Sequence, residues 1–160
     1  MRSFFLPDQS ATERLAQTMQ QFLTAGDVIL LDGPVGVGKS AFARALIQSA
    51  MRKDGAVEPV PSPTFTLVQV YETSSGTYWH ADLYRLSYVE ELAELGLDEA
   101  FEDAITVIEW PERLGQSCPD RNLTLLFIHE AAEDARSVRL LPVGGGWDWI
   151  DSMPDPRITT

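Results

Sequence analysis

Residues 33–40 read G-P-V-G-V-G-K-S, and the apolar run Val28 to Leu31 stands just ahead of them. The eight residues satisfy G-x-x-x-x-G-K-[ST] at every fixed position. Gly33, Gly36 and Gly38 let the backbone turn tightly, so that successive amide N–H groups point inward at phosphate oxygens. A helix starting at the end of the loop adds its own free donors and its dipole. Lys39 supplies a point charge for β- and γ-phosphates, and the Ser40 hydroxyl can ligate Mg²⁺. Lys39 is one of only two lysines in the chain, the other being Lys53, which makes a chance placement inside the loop hard to credit. A buried strand, a glycine loop and a helix in that order restrict the fold to a nucleotide-binding α/β type.

The remaining elements fit that frame. Ser10 and Glu13 form a capping box ahead of Leu15, Met19, Phe22 and Leu23 at helical spacing, and Gly26 stops that helix. A second helix is predicted from Ser40 to about Ala50. The stretch from Gly55 to Pro63 carries three prolines and reads as loop. Phe65 to Tyr71 and Thr77 to Ala81 are β-rich runs joined by S-S-G, which predicts a hairpin. Ser87 and Glu90 cap a helix ending near Gly96. Ile105 to Ile108 is a second fully apolar strand. Leu123 to Ile128 and Val138 to Leu141 flank an acidic turn and predict a late hairpin. From Gly144 the sequence G-G-G-W-D-W and two prolines predict a poorly ordered tail, residues 144–160, behind a phosphate-loop domain at 1–143. The fold class expected is α/β: one P-loop NTPase-like domain with a mixed β-sheet flanked by helices.

Composition narrows the partners. A chain of 160 residues, 44% hydrophobic and 22% charged, supports one globular core. Asp plus Glu number 24 against 12 Lys plus Arg, a net charge of -12. That balance excludes a protein whose main hold on nucleic acid, or on an anionic membrane, is its own surface charge. The single cysteine, Cys118, excludes an internal disulfide and an all-cysteine metal site and fits a reducing compartment. The start M-R-S-F-F-L-P-D has no long apolar run before Pro7, so no secretory signal is expected. No apolar run approaches the ~20 residues that span a bilayer. A cytoplasmic location is expected.

A phosphate loop needs a carboxylate at a neighbouring strand end to hold Mg²⁺ or orient water. I-T-V-I-E-W puts Glu109 at the end of the most apolar strand, the better metal candidate, directly or through water. T-Y-W-H-A-D puts Asp82 at another strand end, the better candidate for positioning an attacking water. Either acid taken alone could simply cap the next turn. Arg85 could face phosphate or pair with a nearby acid, and no finger arginine is evident beside the loop. His80 reads as a packed strand residue rather than a catalytic one. His129 and Cys118 stand in no metal-ligand spacing. Glu90, Glu91 and Glu94 read as a solvated helix face. Trp110 is either core or a shield over the site.

Five motifs stand in one order: G-P-V-G-V-G-K-S at 33–40, S-P-T-F-T-L-V at 62–68, H-A-D-L-Y-R-L at 80–86, E-L-G-L at 94–97 and I-E-W-P at 108–111. Together they resemble the bacterial P-loop ATPase family of tRNA threonylcarbamoyladenosine biosynthesis, TsaE, over roughly residues 6 to 140. The resemblance implies a small ATPase that binds ATP and Mg²⁺ and hydrolyses ATP slowly. It implies Lys39 on phosphate, with Gly36, Val37, Gly38 and Ala41 completing the loop's hold on the nucleotide. Ser40 and Glu109 are implied as Mg²⁺ ligands, Asp82 as essential for hydrolysis, and Thr12 as a neighbour of the base. Thr64 and Thr66 fall in a segment resembling a switch loop near the γ-phosphate. Ser40 departs from the threonine of many members but keeps the hydroxyl. The partners implied are the other proteins of the threonylcarbamoyl-transfer complex, of the TsaB and TsaD types, with tRNA met only indirectly. The alternatives are a P-loop small-molecule kinase and a nucleotide switch without useful turnover. The kinase is weakened because the ten arginines are scattered, with no basic cluster after the second helix.

Overall fold

The computed structural model describes residues 2–157. In chain order the elements are β1 (Arg2–Leu6), α1 (Gln9–Gln20), β2 (Val28–Asp32), α2 (Lys39–Arg52), β3 (Val68–Thr73), β4 (Gly76–Asp82), α3 (Glu91–Glu94), α4 (Leu97–Asp103) and β5 (Ile105–Glu109). A 3-10 segment (Pro111–Ser117), β6 (Asn122–His129), β7 (Arg136–Val143) and a second 3-10 segment (Asp148–Ser152) complete the chain. Among the described residues the strands form one seven-stranded sheet in the order β1-β7-β6-β2-β5-β4-β3.

The two fully apolar strands lie at its centre because both of their faces are covered. Successive side chains alternate between faces. Ile29 and Leu31 of β2 and Ile105 and Val107 of β5 enter the core shared with α1 and α2. Val28, Leu30 and Ile108 enter a smaller core with Leu83, Leu92, Leu97 and Leu114 on the other side. β2 runs parallel to both β5 and β6, and β4 runs parallel to β5. The pairs β1–β7, β3–β4 and β6–β7 are antiparallel. The sheet is therefore mixed, with helices on both faces: an α/β P-loop NTPase-like domain. Among the described residues no helix is long and apolar enough to cross a membrane.

Several local expectations are corrected. The cap of α1 is Asp8, whose carboxylate accepts the Ala11 N–H at 2.9 Å, so Ser10 already lies inside the helix. The hairpin strand begins at Val68 rather than Phe65, because the chain turns through 64–67 and Leu67 takes a φ of 67°. The helix expected after Ser87 is a single turn, α3; Gly96 at φ 81° ends it and opens a further helix, α4.

The largest correction concerns the tail. Residues 144–157 are not poorly ordered; Trp147, Ile150 and Met153 are buried in the same core as α1. Trp149 stacks on Phe22 with centroids 5.1 Å apart. Arg2 Nη1 donates to Ile150 O at 2.6 Å, and Arg14 Nε donates to Pro156 O at 2.5 Å. The glycines that suggested flexibility serve Arg121 instead. A Cβ on Gly146 would stand 2.8 Å from Arg121 Nη2, and the guanidinium donates to Gly145 O and to Asp27 Oδ1. Its Cζ lies 4.1 Å from the Trp147 ring centroid. Residues 158–160 of the expected tail lie outside the described residues. Trp147→Ala should therefore destabilise the fold by about 3–5 kcal/mol, as large aromatic truncations in cores do. Urea unfolding of the two proteins measures it; an unchanged midpoint would mean the segment adds no stability.

Candidate active site

β2 delivers the chain to the loop at Asp32, whose Oδ1 accepts the Gly33 N–H at 2.8 Å. Gly33 sits at φ 140°, and a Cβ there would stand 2.8 Å from the Phe127 carbonyl oxygen on β6, so no side chain fits. Gly38 takes φ 111° at the N-cap of α2 and leaves the first turn of that helix without a side-chain cap. Those free amides are what an anion at a helix N-terminus uses.

Lys39 folds back over the loop. Its Nζ donates to Gly33 O at 2.6 Å and lies 3.4 Å from the Trp110 ring centroid. Burial pushes its ammonium below the ordinary lysine range, against the opposing pull of Glu109, Glu112, Asp32 and Asp82. Trp110 closes this side of the cavity from a left-handed backbone position, φ 61°, with Tyr84 packed 5.0 Å away. It is partly buried against the smaller core and lines the cavity at the same time, so it meets both readings left open by the sequence in part.

Glu109 stands where β5 leaves the sheet, beside Leu31 of β2 and Asp82 of β4 in register. It is 2% exposed, and both oxygens are engaged. Oε1 accepts the Ser40 hydroxyl at 2.7 Å, and Oε2 meets His80 Nε2 at 2.7 Å. Asp82 is tied differently. Its Oδ2 accepts the Ser62 hydroxyl at 2.9 Å, its Oδ1 accepts the Tyr84 N–H at 3.1 Å, and its own N–H donates to Leu67 O. Asp82 thus connects the end of β4 to the segment 62–67.

These groups surround a cavity of about 480 Å³ lined by Lys39, Ser40, Thr64, Asp82, Glu109 and Trp110. An adjoining cavity of about 320 Å³ is lined by Asp8, Thr12, Gly38, Ala41, Asp134 and Arg136. Gln9, Gly38, Ala41 and Arg136 border both, so the two form one trough across the loop. Gly36 borders the larger cavity, whereas Val37 is fully buried and lines neither, its carbonyl accepting from Arg136 Nε. Thr66 is exposed and accepts from Gln69 Nε2 at 3.1 Å, outside the trough that Thr64 lines. Arg85 takes neither expected role and lies over the Phe65 ring at 4.7 Å.

The donor set suits Mg²⁺. Ser40 and Glu109 offer hard oxygens, and among the described residues no cluster of three or more His, Cys, Asp or Glu could hold a metal alone. Mg²⁺ is commonly held by one or two carboxylates together with substrate phosphates.

Two residues carry more than the sequence disclosed. Arg136 does stand beside the loop, donating from Nε to Val37 O at 2.7 Å and from Nη2 to Gly36 O at 3.4 Å. Nothing in its spacing marks it; the β6–β7 turn brings it there. His80 is packed as expected, but its packing partner is the Glu109 carboxylate.

A family model, threonylcarbamoyl adenosine biosynthesis protein TsaE, matches residues 6–138. The chain belongs to the TsaE family. A tRNA threonylcarbamoyladenosine biosynthesis protein TsaE from Synechocystis is 40% identical over 117 residues, 71% of this chain and 72% of that one. The TsaE of Rickettsia felis is 41% identical over 107 residues, 67% of this chain but only 61% of the relative, so the match leaves more than a third of that protein uncovered. The crystal structure of Bacillus subtilus YdiB superposes with a TM-score of 0.76, covering 94% of this chain and 91% of that one at 22% identity, a likeness of fold. The motifs at 33–40, 62–68, 80–86, 94–97 and 108–111 all fall within the stretch that the TsaE model matches.

Arg136→Ala should weaken binding of adenine nucleotides roughly tenfold or more, since hydrogen bonds from a charged donor are worth about 1.5–3 kcal/mol. Titration with a fluorescent ADP analogue checks it. Unchanged affinity would show that the loop keeps its shape unaided.

Proposed function

We propose that this chain is a Mg²⁺-dependent ATPase of tRNA threonylcarbamoyladenosine biosynthesis, hydrolysing ATP to ADP and phosphate slowly alone and faster with its partners. The observation that carries the reading is the 2.7 Å contact between the Ser40 hydroxyl and the buried Glu109 carboxylate, at the foot of a phosphate loop and beside Lys39. Ser40 and Glu109 are the residues that would hold Mg²⁺, which supplies charge neutralisation at the β- and γ-phosphates. Lys39 exchanges Gly33 O for phosphate oxygen, and the anion offsets the burial that weakens its ammonium. The base lies toward Thr12 and Ala41. Asp82 keeps lone pairs free to orient the attacking water while it holds the 62–67 segment over the phosphates.

Where the arginines point supports the reading of slow turnover alone. Arg85 packs on Phe65, and Arg136 is engaged with loop carbonyls. A charge supplied in trans is worth roughly 10³–10⁵ in rate in comparable phosphoryl transfers. The partners are the TsaB- and TsaD-type proteins of the transfer complex, in the cytoplasm. The net charge of -12 favours docking to protein over a direct hold on tRNA.

The test is ATP turnover by the chain alone, with tRNA, and with the reconstituted transfer proteins. Turnover should be slow in the first two and rise in the third. Fast turnover alone, or stimulation by tRNA without protein, would overturn the partner dependence. Two variants test the division of labour. Glu109→Ala should remove the gain in nucleotide affinity that Mg²⁺ brings, because a metal ligand acts in the ground state. Asp82→Ala should leave affinity within about threefold and lower turnover, because orienting water matters mainly in the transition state. Binding titrations beside turnover assays read both, and the reverse pattern would exchange the roles.

A further inference from the structure

We propose that His80 is a positioning residue for Glu109, fixing which carboxylate oxygen is offered to the metal. The inference rests on the Ser40–Glu109 reading above and concerns a residue that the sequence marks only as core.

Side chains alternate along β4, so Tyr78, His80 and Asp82 share one face of the strand. Val107 and Glu109 share the corresponding face of β5, with His80 opposite Val107 and Asp82 opposite Glu109. His80 therefore reaches along the sheet to the Glu109 carboxylate from two residues back. It is fully buried, 0% exposed, in surroundings that an apolar side chain would fill at lower cost. One nitrogen explains its presence: Nε2 lies 2.7 Å from Glu109 Oε2. The other, Nδ1, is buried and has no hydrogen-bond partner. A buried N–H without an acceptor is rarer in proteins than an unpaired acceptor, so the proton belongs on Nε2, which donates to the carboxylate.

The consequence is selective. With Oε2 held by His80, Glu109 presents Oε1, the oxygen that now accepts the Ser40 hydroxyl. One oxygen and one hydroxyl then face the same point in a fixed relation. Without His80 the carboxylate could turn about its last torsion, and its second oxygen would be buried and unsatisfied. Partners of metal ligands commonly set metal affinity by 10- to 100-fold.

Two amide substitutions separate this from packing. Gln places its side-chain N–H₂ four bonds from Cα, as His places Nε2; Asn ends one bond short. The experiment titrates the full chain with a fluorescent ADP analogue, first in EDTA and then at increasing Mg²⁺. Wild type should bind more tightly as Mg²⁺ rises. His80→Asn should raise the Mg²⁺ concentration for half of that effect about 10- to 100-fold, with affinity in EDTA kept within about threefold. His80→Gln should restore the wild-type midpoint within the same margin. Should the Asn protein fail to fold, the Gln protein still decides, since loss of its Mg²⁺ response overturns the proposal. A wild-type midpoint in His80→Asn would make His80 a packing residue. Equal loss in EDTA and in Mg²⁺ would assign it to loop architecture. A wild type indifferent to Mg²⁺ would bring down the Ser40–Glu109 reading, and this inference with it, which a failure in the variants alone would not do.

Discussion

A carboxylate 2% exposed at the end of a central strand is the constraint around which this molecule is arranged. Glu109 is tolerated there because each oxygen has a donor: the hydroxyl that opens α2 and the imidazole of β4. Those donors come from different elements. The hydroxyl arrives only if the loop after β2 closes tightly, which needs Gly33 against the Phe127 carbonyl of β6. The imidazole arrives only if β4 lies parallel and next to β5. The central strand order β6-β2-β5-β4 is thus the order that satisfies one buried acid. The same satisfaction leaves the acid facing the hydroxyl, the pair of oxygens proposed above as the magnesium site.

What the sequence discloses divides along the same line. Elements defined by their own residues were legible: the loop at 33–40, the apolar strands around Ile29 and Val107, and the two hairpins. Glu109 is legible because a charge ending an apolar strand is anomalous, and Asp82 because it ends another strand of a phosphate-loop chain. Elements defined by what they touch were not. β1 is a short edge strand whose pairing to β7 comes from the far end of the chain. Asp8, itself a preferred N-cap type, caps α1 although Ser10 with Glu13 carries the fuller capping-box pattern. Arg136 reaches the loop through a hairpin turn, and His80 reads as core because it is core. In the tail, Trp147, Ile150 and Met153 recur every three residues, but the glycines and prolines around them dominate the composition. Those glycines answer to the width of the Arg121 guanidinium rather than to chain mobility.

The trough that results has two sides of different stiffness. Its α1 side is anchored deeply. Phe22 stacks on Trp149, Arg14 holds Pro156, and Leu15, Ala16 and Met19 are buried against the core. Asp8 and Thr12 therefore stand on a helix that cannot shift without disturbing the tail. The opposite side, the segment 62–67, is tied to Asp82 by a hydroxyl and a backbone carbonyl and packs Leu67 on the smaller core, while Phe65 is 84% exposed and Leu67 stays in a left-handed conformation. Segments with few buried apolar contacts open at low free energy, and a non-glycine residue at positive φ stores about 1–3 kcal/mol that a rearrangement can release. The loop and α1 thus form the firmly packed side of the trough, and the wall carrying Thr64 forms the more lightly held one. Asp82 is bonded to that wall and lines the cavity at once. A single strand-end acid can then link the position of the wall to the chemistry beside it.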